Sequence, residues 1–438
     1  MKSPSQETVR EAWALRWPER HLLLWCLVCV ALGFLLALGS SHDGGRRLTA
    51  ADCWPLLGYA ISLLAVHLTL VLCRFRGDQL LLATAAFLAG FGLLIQYRMV
   101  PPAGADPLTQ HLFPVGMAVM LVITVTLMRS RYHALAGGFW FWGGLSLVLV
   151  AGLLVTGQRF RGGVYAAGFI TPTEILKITV ILFLAGFIDQ RQQVLSHWGG
   201  GLVPPLRALA PLAAGWGLLT ALLLLQRDLG MVVMLSTALL LMLLMGTGRL
   251  GYLVYGAVAA GGAGYLMLRY FGHTQRRVQA WLDPFQDPTG ASWQILQGLS
   301  GMHSGGLWGE GFGQGNPEYT PIAESDFIYS VIGEELGFAG CMAVVIFFLI
   351  FFSRGFKIAY QTPSSYGMLL GAGLTTVLAA QTLLNIGGVT KFIPLTGTTL
   401  PFISHGGSSL LTGFVMLGLL LAISEGEAPP NRRQRSSS

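Results

Sequence analysis

The chain has 438 residues, 53% of them hydrophobic and only 11% charged, with a mean hydropathy of +0.62. That balance excludes an ordinary soluble domain and, with repeated apolar runs long enough to cross a bilayer, marks an all-α polytopic integral membrane protein. The formal charge of +7 is spread between the apolar runs, which excludes a nucleic-acid-binding patch as its cause.

In chain order, residues 1–19 are polar, carry Lys2, Arg10 and Arg16, and read as a cytoplasmic N-terminus ahead of an uncleaved signal anchor. Apolar segments follow near 20–38, 53–73, 79–97, 111–128, 137–156, 173–189, 207–225, 230–247, 250–270, 327–352, 365–387 and 409–423, which predicts about twelve transmembrane helices. Cys26, Cys29, Cys53, Cys73 and Cys341 lie in or beside these segments without metal-ligand spacing and read as packing residues. Residues 425–438, ending NRRQRSSS, read as a disordered cytoplasmic tail.

Charge sets the orientation. With the N-terminus inside, every inside connection is basic: Arg74 and Arg76, Arg129 and Arg131, Arg191 and Arg207, Arg249, then Arg354 with Lys357. The positive-inside rule therefore places both termini in the cytoplasm. The same topology sends four polar stretches to the outer side: 159–177, 226–230, 273–326 and 391–409.

The first of these opens a helix with Pro172, Glu174 and Lys177, a spacing that suits an i,i+3 ion pair in a capped helix and a functional pair equally well. The second puts Arg227 and Asp228 in a short connection that reads as a charged turn. The third is long enough to be either functional or disordered, and Trp281, Phe285, Trp293, Trp308, Phe312 and Tyr319 predict that it packs. It leads to Asp326 at the mouth of the next apolar helix, with Glu334 and Glu335 further in, and carboxylates within a spanning segment read as functional. On an ideal helix Glu334 lies about 12 Å deeper than Asp326 and about 80° around, while Glu335 points away, so Glu334 is expected in the same cavity. In the fourth stretch Pro394, Gly397, Pro401, Gly406 and Gly407 break the helix, which predicts backbone lining a cavity, and the lone His405 reads as a hydrogen-bonded structural residue.

TPTEILK at 171–177, QRDLG at 226–230, LDPFQDPTGASWQILQ at 282–297, SDFIYSVIGEELG at 325–337 and PLTGTTLPFISHGGSS at 394–409 resemble the motifs of the SEDS peptidoglycan polymerases, the RodA and FtsW type. Members of that family have ten helices. The resemblance therefore implies a core at 79–424 with an outer loop at 271–325 before helix 10, and an added N-terminal helix pair at 20–78. It implies an enzyme of the bacterial cytoplasmic membrane that polymerises lipid II into glycan strands at the outer face, releases undecaprenyl diphosphate, and works with a class B penicillin-binding protein among membrane lipids.

Under that resemblance Asp326 is the general base, with Glu334 beside it. Arg161, Glu174, Lys177, Asp228, Arg276, Arg277, Asp283, Asp287, Ser404 and Ser408 form the substrate-binding set. Inverting sugar transfer needs a base for the attacking hydroxyl and positive charge at the departing diphosphate, and a divalent cation, Mg or Mn, would share the second task. The chain departs from the family pattern at Gly162, at Thr171 and Thr173, at Ile322 with the acid displaced to Glu324, and at His405. Two other readings use the same features: a flippase for a lipid-linked precursor, and a non-catalytic scaffold for a transpeptidase.

Overall fold

The computed structural model describes residues 9–42, 53–99, 107–160, 163–165, 171–198, 204–290 and 292–426. A short α1 (Val9–Leu15) opens the chain, and each predicted apolar segment is then a helix: α2 (Trp17–His42), α3 (Trp54–Leu72), α4 (Gln79–Met99), α5 (Pro107–Leu127), α6 (Phe139–Thr156), α7 (Pro172–Ser196), α8 (Leu206–Leu225), α9 (Leu229–Thr247), α10 (Gly251–Tyr270), α13 (Ile328–Gln361), α14 (Ser365–Val389) and α15 (Gly407–Ser424). Two further helices, α11 (Gly272–Leu282) and α12 (Trp293–Gly305), lie inside the long loop. Among the described residues ten helices are long and apolar enough to span a membrane, with a shorter apolar helix at Leu112–Leu127.

Burial ranks the helices by position. In α14, 83% of the spanning window is buried, against 6% in α10, so α14 is the centre of the bundle and α10 its most lipid-facing member. The composition of α14 permits this, because Gly367, Gly371, Gly373, Gly387 and Gly388 let neighbours approach closely on several sides. Helices α7, α9 and α13 pack around it, α15 packs along α5, and the N-terminal pair docks with α2 on α4 and α3 on α5.

Three features depart from the expectation. A two-stranded antiparallel hairpin, β1 (Gln158–Phe160) with β2 (Gly163–Tyr165), follows α6 in register Gln158 to Tyr165 and Phe160 to Gly163. Arg161, like residues 427–438 of the tail, lies outside the described residues. The aromatic residues expected to pack the long loop are largely on its surface, with Trp308 78%, Phe285 77% and Tyr319 69% exposed. Backbone pairing to α13 orders the loop instead. Cys29 and Cys53 are likewise exposed, whereas Cys26 and Cys341 are buried as packing residues should be.

The N-terminus also differs. Arg16 belongs to the polar N-terminus ahead of the first apolar run, yet Arg16 and Glu19 are completely buried and form an ion pair at the start of α2. The Glu19 carboxylate is also within 2.7 Å of His67 Nδ1 on α3, and the Glu19 N–H donates to Gln79 at the start of α4. Arg16 Nη1 donates to the Phe75 carbonyl at 2.9 Å. One residue thus joins three helices, fixing the pair to the core through a charge held away from water. Removing one partner of a buried pair strands the other, at a cost of about 3–5 kcal/mol. Glu19→Ala should therefore lower the melting temperature of the detergent-purified protein markedly, while Gln193→Ala, exposed near the end of α7, should leave it nearly unchanged.

Candidate functional site

The site is built on a stretch of chain that cannot be helical. Between α14 and α15, residues 390–406 run without regular hydrogen bonding, interrupted by Pro394 and Pro401 and by Gly397 at φ +74°. Backbone amides and carbonyls left unpaired at membrane depth must find partners in the protein. Two amide side chains one turn apart on α14 supply them. Gln381 Nε2 donates to the Thr399 carbonyl at 2.9 Å, and Asn385 Nδ2 donates to the Thr398 carbonyl at 2.6 Å. From α4, Gln96 donates to the Ile403 carbonyl, and from α11, Arg277 Nη1 donates to the carbonyls of Leu395 and Thr396, each at 3.1 Å.

The same clamp holds Asp326. Asn385 Nδ2 donates to the Asp326 carbonyl at 2.9 Å while holding Thr398, so one side chain fixes the acidic residue against the broken segment. On the far side, Ser404 donates to the Ser325 carbonyl and the His405 N–H donates to the Glu324 carbonyl at 2.7 Å. A side chain at Gly397 would press toward Asp326 Oδ2, 3.6 Å from the position of its Cβ, and the other Asp326 oxygen accepts from Ser325 Oγ at 3.0 Å. Asp326 is half-buried and precedes Ile328, where α13 begins, so it sits in a turn and not on the helix.

A second group of polar residues reaches the segment from α7. Pro172 starts that helix, and Lys177 Nζ lies 2.5 Å from Glu174 Oε2 and donates to Gln381 Oε1 at 2.9 Å. Thr412 donates to Glu174, and Ser408 donates to Thr171. Lys177 is almost completely buried, so its charge is satisfied by protein and serves to join α7 and α14, while Glu174 ties α7 to α15. The 174/177 spacing is thus an i,i+3 ion pair, and the pair is also part of the hydrogen-bond network that supports the broken segment.

Asp228 caps α9 by accepting from the Met231 N–H at 3.0 Å. Burial pushes its carboxyl above the ordinary carboxylate range, opposed by that hydrogen bond and by the nearby charges of Lys177 and Arg277, while Glu174 adds to the rise. Two residues on, Gly230 packs against Thr396 and Thr398. The connection at 226–230 is thus a wall of the site. Arg276 and Arg277 are both exposed, and Arg277 is the one tied to the segment. Asp283 and Asp287 lie in the exposed turn after α11.

The structure places Glu334 and Glu335 differently from an ideal-helix projection. Gly337, at φ +65° and ψ −166°, breaks α13, so the Glu334 and Glu335 carbonyls lose their helical partners, the N–H groups of Phe338 and Ala339. The Gly-rich loop takes over all four groups. Glu310 and Gly311 donate to the Glu334 and Glu335 carbonyls, and Phe338 and Ala339 donate to the carbonyls of Gly306 and Leu307. Gly309, at φ +84°, lies so close that a Cβ would stand 2.1 Å from the Glu335 carbonyl oxygen.

The two carboxylates finish the junction. Glu334 accepts from the Asn316 N–H at 2.7 Å, and Glu335 accepts from the Gly313 N–H at 3.2 Å and pairs with Arg98 of α4 at 3.3 Å. Each carboxylate therefore has a protein partner in the loop, and Arg98 adds hydrogen bonds to the Gly313 and Gly315 carbonyls. Hydrogen bonds to charged groups contribute about 1.5–3 kcal/mol each. Glu335→Ala should loosen the loop and speed cleavage after Glu310 by a glutamyl endopeptidase, read as a faster loss of intact protein on a gel.

Gln381 and Asn385 are the functional residues that sequence reading missed. Their signal is two amides four residues apart in an otherwise apolar helix, immediately before a Pro- and Gly-broken stretch.

Comparison with known proteins gives a consistent result. A family model described as "Cell cycle protein", covering FtsW, RodA and SpoVE, matches residues 78–428. The chain is 33% identical to the peptidoglycan glycosyltransferase RodA of Mycobacterium tuberculosis (strain ATCC 25618 / H37Rv) over 443 aligned positions, 95% of this chain and 93% of that protein. It is 34% identical to stage V sporulation protein E of Bacillus subtilis (strain 168) over 64% of this chain and 74% of that one. The crystal structure of the rod shape determining protein RodA of Thermus thermophilus superposes with a TM-score of 0.57 at 25% identity, covering 80% of this chain and 97% of that one. A chain solved in a peptidoglycan synthase complex that coordinates polymerization and crosslinking superposes with a TM-score of 0.64 at 24% identity, covering 83% and 99%.

Proposed function

The chain belongs to the FtsW, RodA and SpoVE family of cell cycle proteins, and we propose on that footing that it polymerises lipid II by inverting transfer with Asp326 as general base. It is a multi-pass membrane protein and a peptidoglycan glycosyltransferase. The observation that carries the assignment of the base is the grip on Asp326: its backbone is fixed by Asn385 against the broken segment, while its carboxylate stays half-exposed beside Gly397. A base must be held in register with the hydroxyl it deprotonates, and a rigid backbone anchor with an accessible carboxylate meets that need.

Arg277 is the cation we assign to the departing diphosphate. It is exposed, it lies over the segment at Leu395 and Thr396, and its planar guanidinium suits bidentate oxygen recognition. Arg276 and the hairpin's Arg161 are further candidates for the same anion. Lys177 and Glu174 act through the segment they brace, as do Ser404 and Ser408, and Glu334 keeps the loop wall in place behind Asp326.

A divalent cation fits this arrangement in a limited way. Among the described residues no three His, Cys, Asp or Glu side chains converge on a metal-sized gap. Mg²⁺ is commonly held by one or two carboxylates together with substrate phosphates. Here Asp228, whose cap uses one oxygen, would be the protein ligand, and the bound ion would neutralise charge on the leaving diphosphate. Asp283 and Asp287 would meet substrate only as it passes the loop.

The orientation we infer puts the long loop outside and both termini in the cytoplasm. Contacts among the basic connections support it, since Arg129 joins the Cys73 carbonyl and Glu425, and Arg354 pairs with Asp78, all on the face away from Asp326. A class B penicillin-binding protein is the partner this reading calls for, as polymerised strands must be crosslinked.

Two experiments test the proposal. Asp326→Asn keeps the shape of the side chain but cannot take a proton, and loss of a general base costs about 10²- to 10⁴-fold in rate. The purified variant should fold normally and yield no polymer from labelled lipid II in a gel assay; near-normal product would remove Asp326 as the base. For the orientation, a cysteine at Thr289 should react with a membrane-impermeant maleimide in intact cells, and one at Gln361 only after lysis. The reverse pattern would invert the topology.

A further inference from the structure

On the face opposite Asp326, where the N-terminal pair meets the core, side chains leave a cavity of about 520 Å³. Its walls come from the start of α2, the 76–80 turn, and the ends of α13 and α15. Glycan polymerisation at the Asp326 face makes no use of it. We propose that it holds the phosphodiester headgroup of an anionic phospholipid, a reading that does not depend on which residue is the catalytic base.

The lining is amphiphilic in the way a lipid headgroup and its first methylenes require. Leu22, Leu80 and Ile358 supply an apolar side, and Arg76, Arg354 and Gln361 a polar one. Arg354 directs Nε and one terminal nitrogen at a single oxygen of Asp78, whose other oxygen caps α4 through the Leu81 N–H. The second terminal nitrogen of Arg354 makes no hydrogen bond to protein among the described residues, and the side chain is 28% exposed. A guanidinium anchored on one edge and open on the other is well prepared for a phosphate oxygen.

Charge points the same way. Arg76, Arg129 and Arg354 meet around the 73–78 turn and the ends of α13 and α15, where Asp78 and Glu425 are their acidic partners among the described residues. Basic pockets between spanning helices at the cytoplasmic boundary are suited to anionic lipid headgroups, which are plentiful in that leaflet. The cavity is open and lies where α13 and α15 end, at the boundary of the spanning region. A soluble phosphate shares the anion chemistry but would leave the apolar wall uncovered.

The test uses the full-length protein in detergent, titrated with dioctanoyl phosphatidylglycerol and followed by native mass spectrometry. Dioctanoyl phosphatidylcholine, glycerol 3-phosphate and inorganic phosphate are the comparison probes. Phosphatidylglycerol should bind about tenfold or more tightly than the others, and Arg76→Gln should weaken it about tenfold, the effect of losing one charge-assisted contact. Leu22→Trp, which fills the apolar side and leaves the ion pairs alone, should weaken it comparably without lowering the melting temperature. Equal binding of the two lipids, or no response to either substitution, would overturn the proposal. Inorganic phosphate or glycerol 3-phosphate binding as tightly as phosphatidylglycerol would also overturn it, in favour of a soluble anion.

Discussion

A backbone hydrogen-bonding group inside a membrane has to be paired by the protein, and the architecture around Asp326 follows from meeting that demand twice. At Gly337 the helix α13 breaks, and the four groups it releases are taken up by residues 306–311. Between α14 and α15 the chain gives up helix altogether, and Gln96, Gln381, Asn385 and Arg277 reach in from three helices to hold its carbonyls. Irregular backbone is tolerated at such depth only when it is enclosed in this manner. The second repair holds the Asp326 turn directly, through Asn385, Ser404 and His405, and the first braces the helix that this turn opens.

The same logic explains the mixture of roles among the charged residues. Glu334, Glu335, Arg98, Glu174 and Lys177 are costly to bury alone and far less so when paired, and each is paired in a way that ties two or more helices or a helix and the loop together. Charge that would be scattered over the surface of a soluble enzyme is used here to fix register between spans. Arg277, by contrast, is exposed and hydrogen-bonds to carbonyls of the broken segment, with the Asp228 carboxylate near enough to feel its charge.

Much of this is legible in the chain. Apolar runs locate every long helix because hydropathy over some twenty residues is set by bilayer thickness and little else. The break after α14 is readable from Pro394, Gly397 and Pro401, since those residues remove donors or favour backbone outside the helical region. What escapes is anything carried by uncharged polar atoms or by backbone. Gln381 and Asn385 leave α14 apolar enough to span, at a mean hydropathy of 1.5, and carry no charge to mark them; projecting Glu334 and Glu335 from Asp326 requires a continuous helix, whereas α13 starts at Ile328 and breaks at Gly337. The burial of Arg16 escapes for a related reason: Glu19 and His67, its pairing network, are 48 residues apart in sequence.

The exchange at Gly337 also constrains the order of biogenesis. Residues 306–311 precede α13 in the chain, and in the orientation proposed above they must cross the membrane before they can pair with it. Until they fold back, the carbonyls of Glu334 and Glu335 and the amides of Phe338 and Ala339 can be satisfied only by one another, as turns of an unbroken helix. A spanning segment is expected to enter the bilayer in that regular form, because no other partners exist there. In that orientation, maturation of α13 is a helix-to-junction conversion that follows translocation of the loop, so the turn that holds Asp326 is completed only once the chain on both sides of it has reached its final compartment.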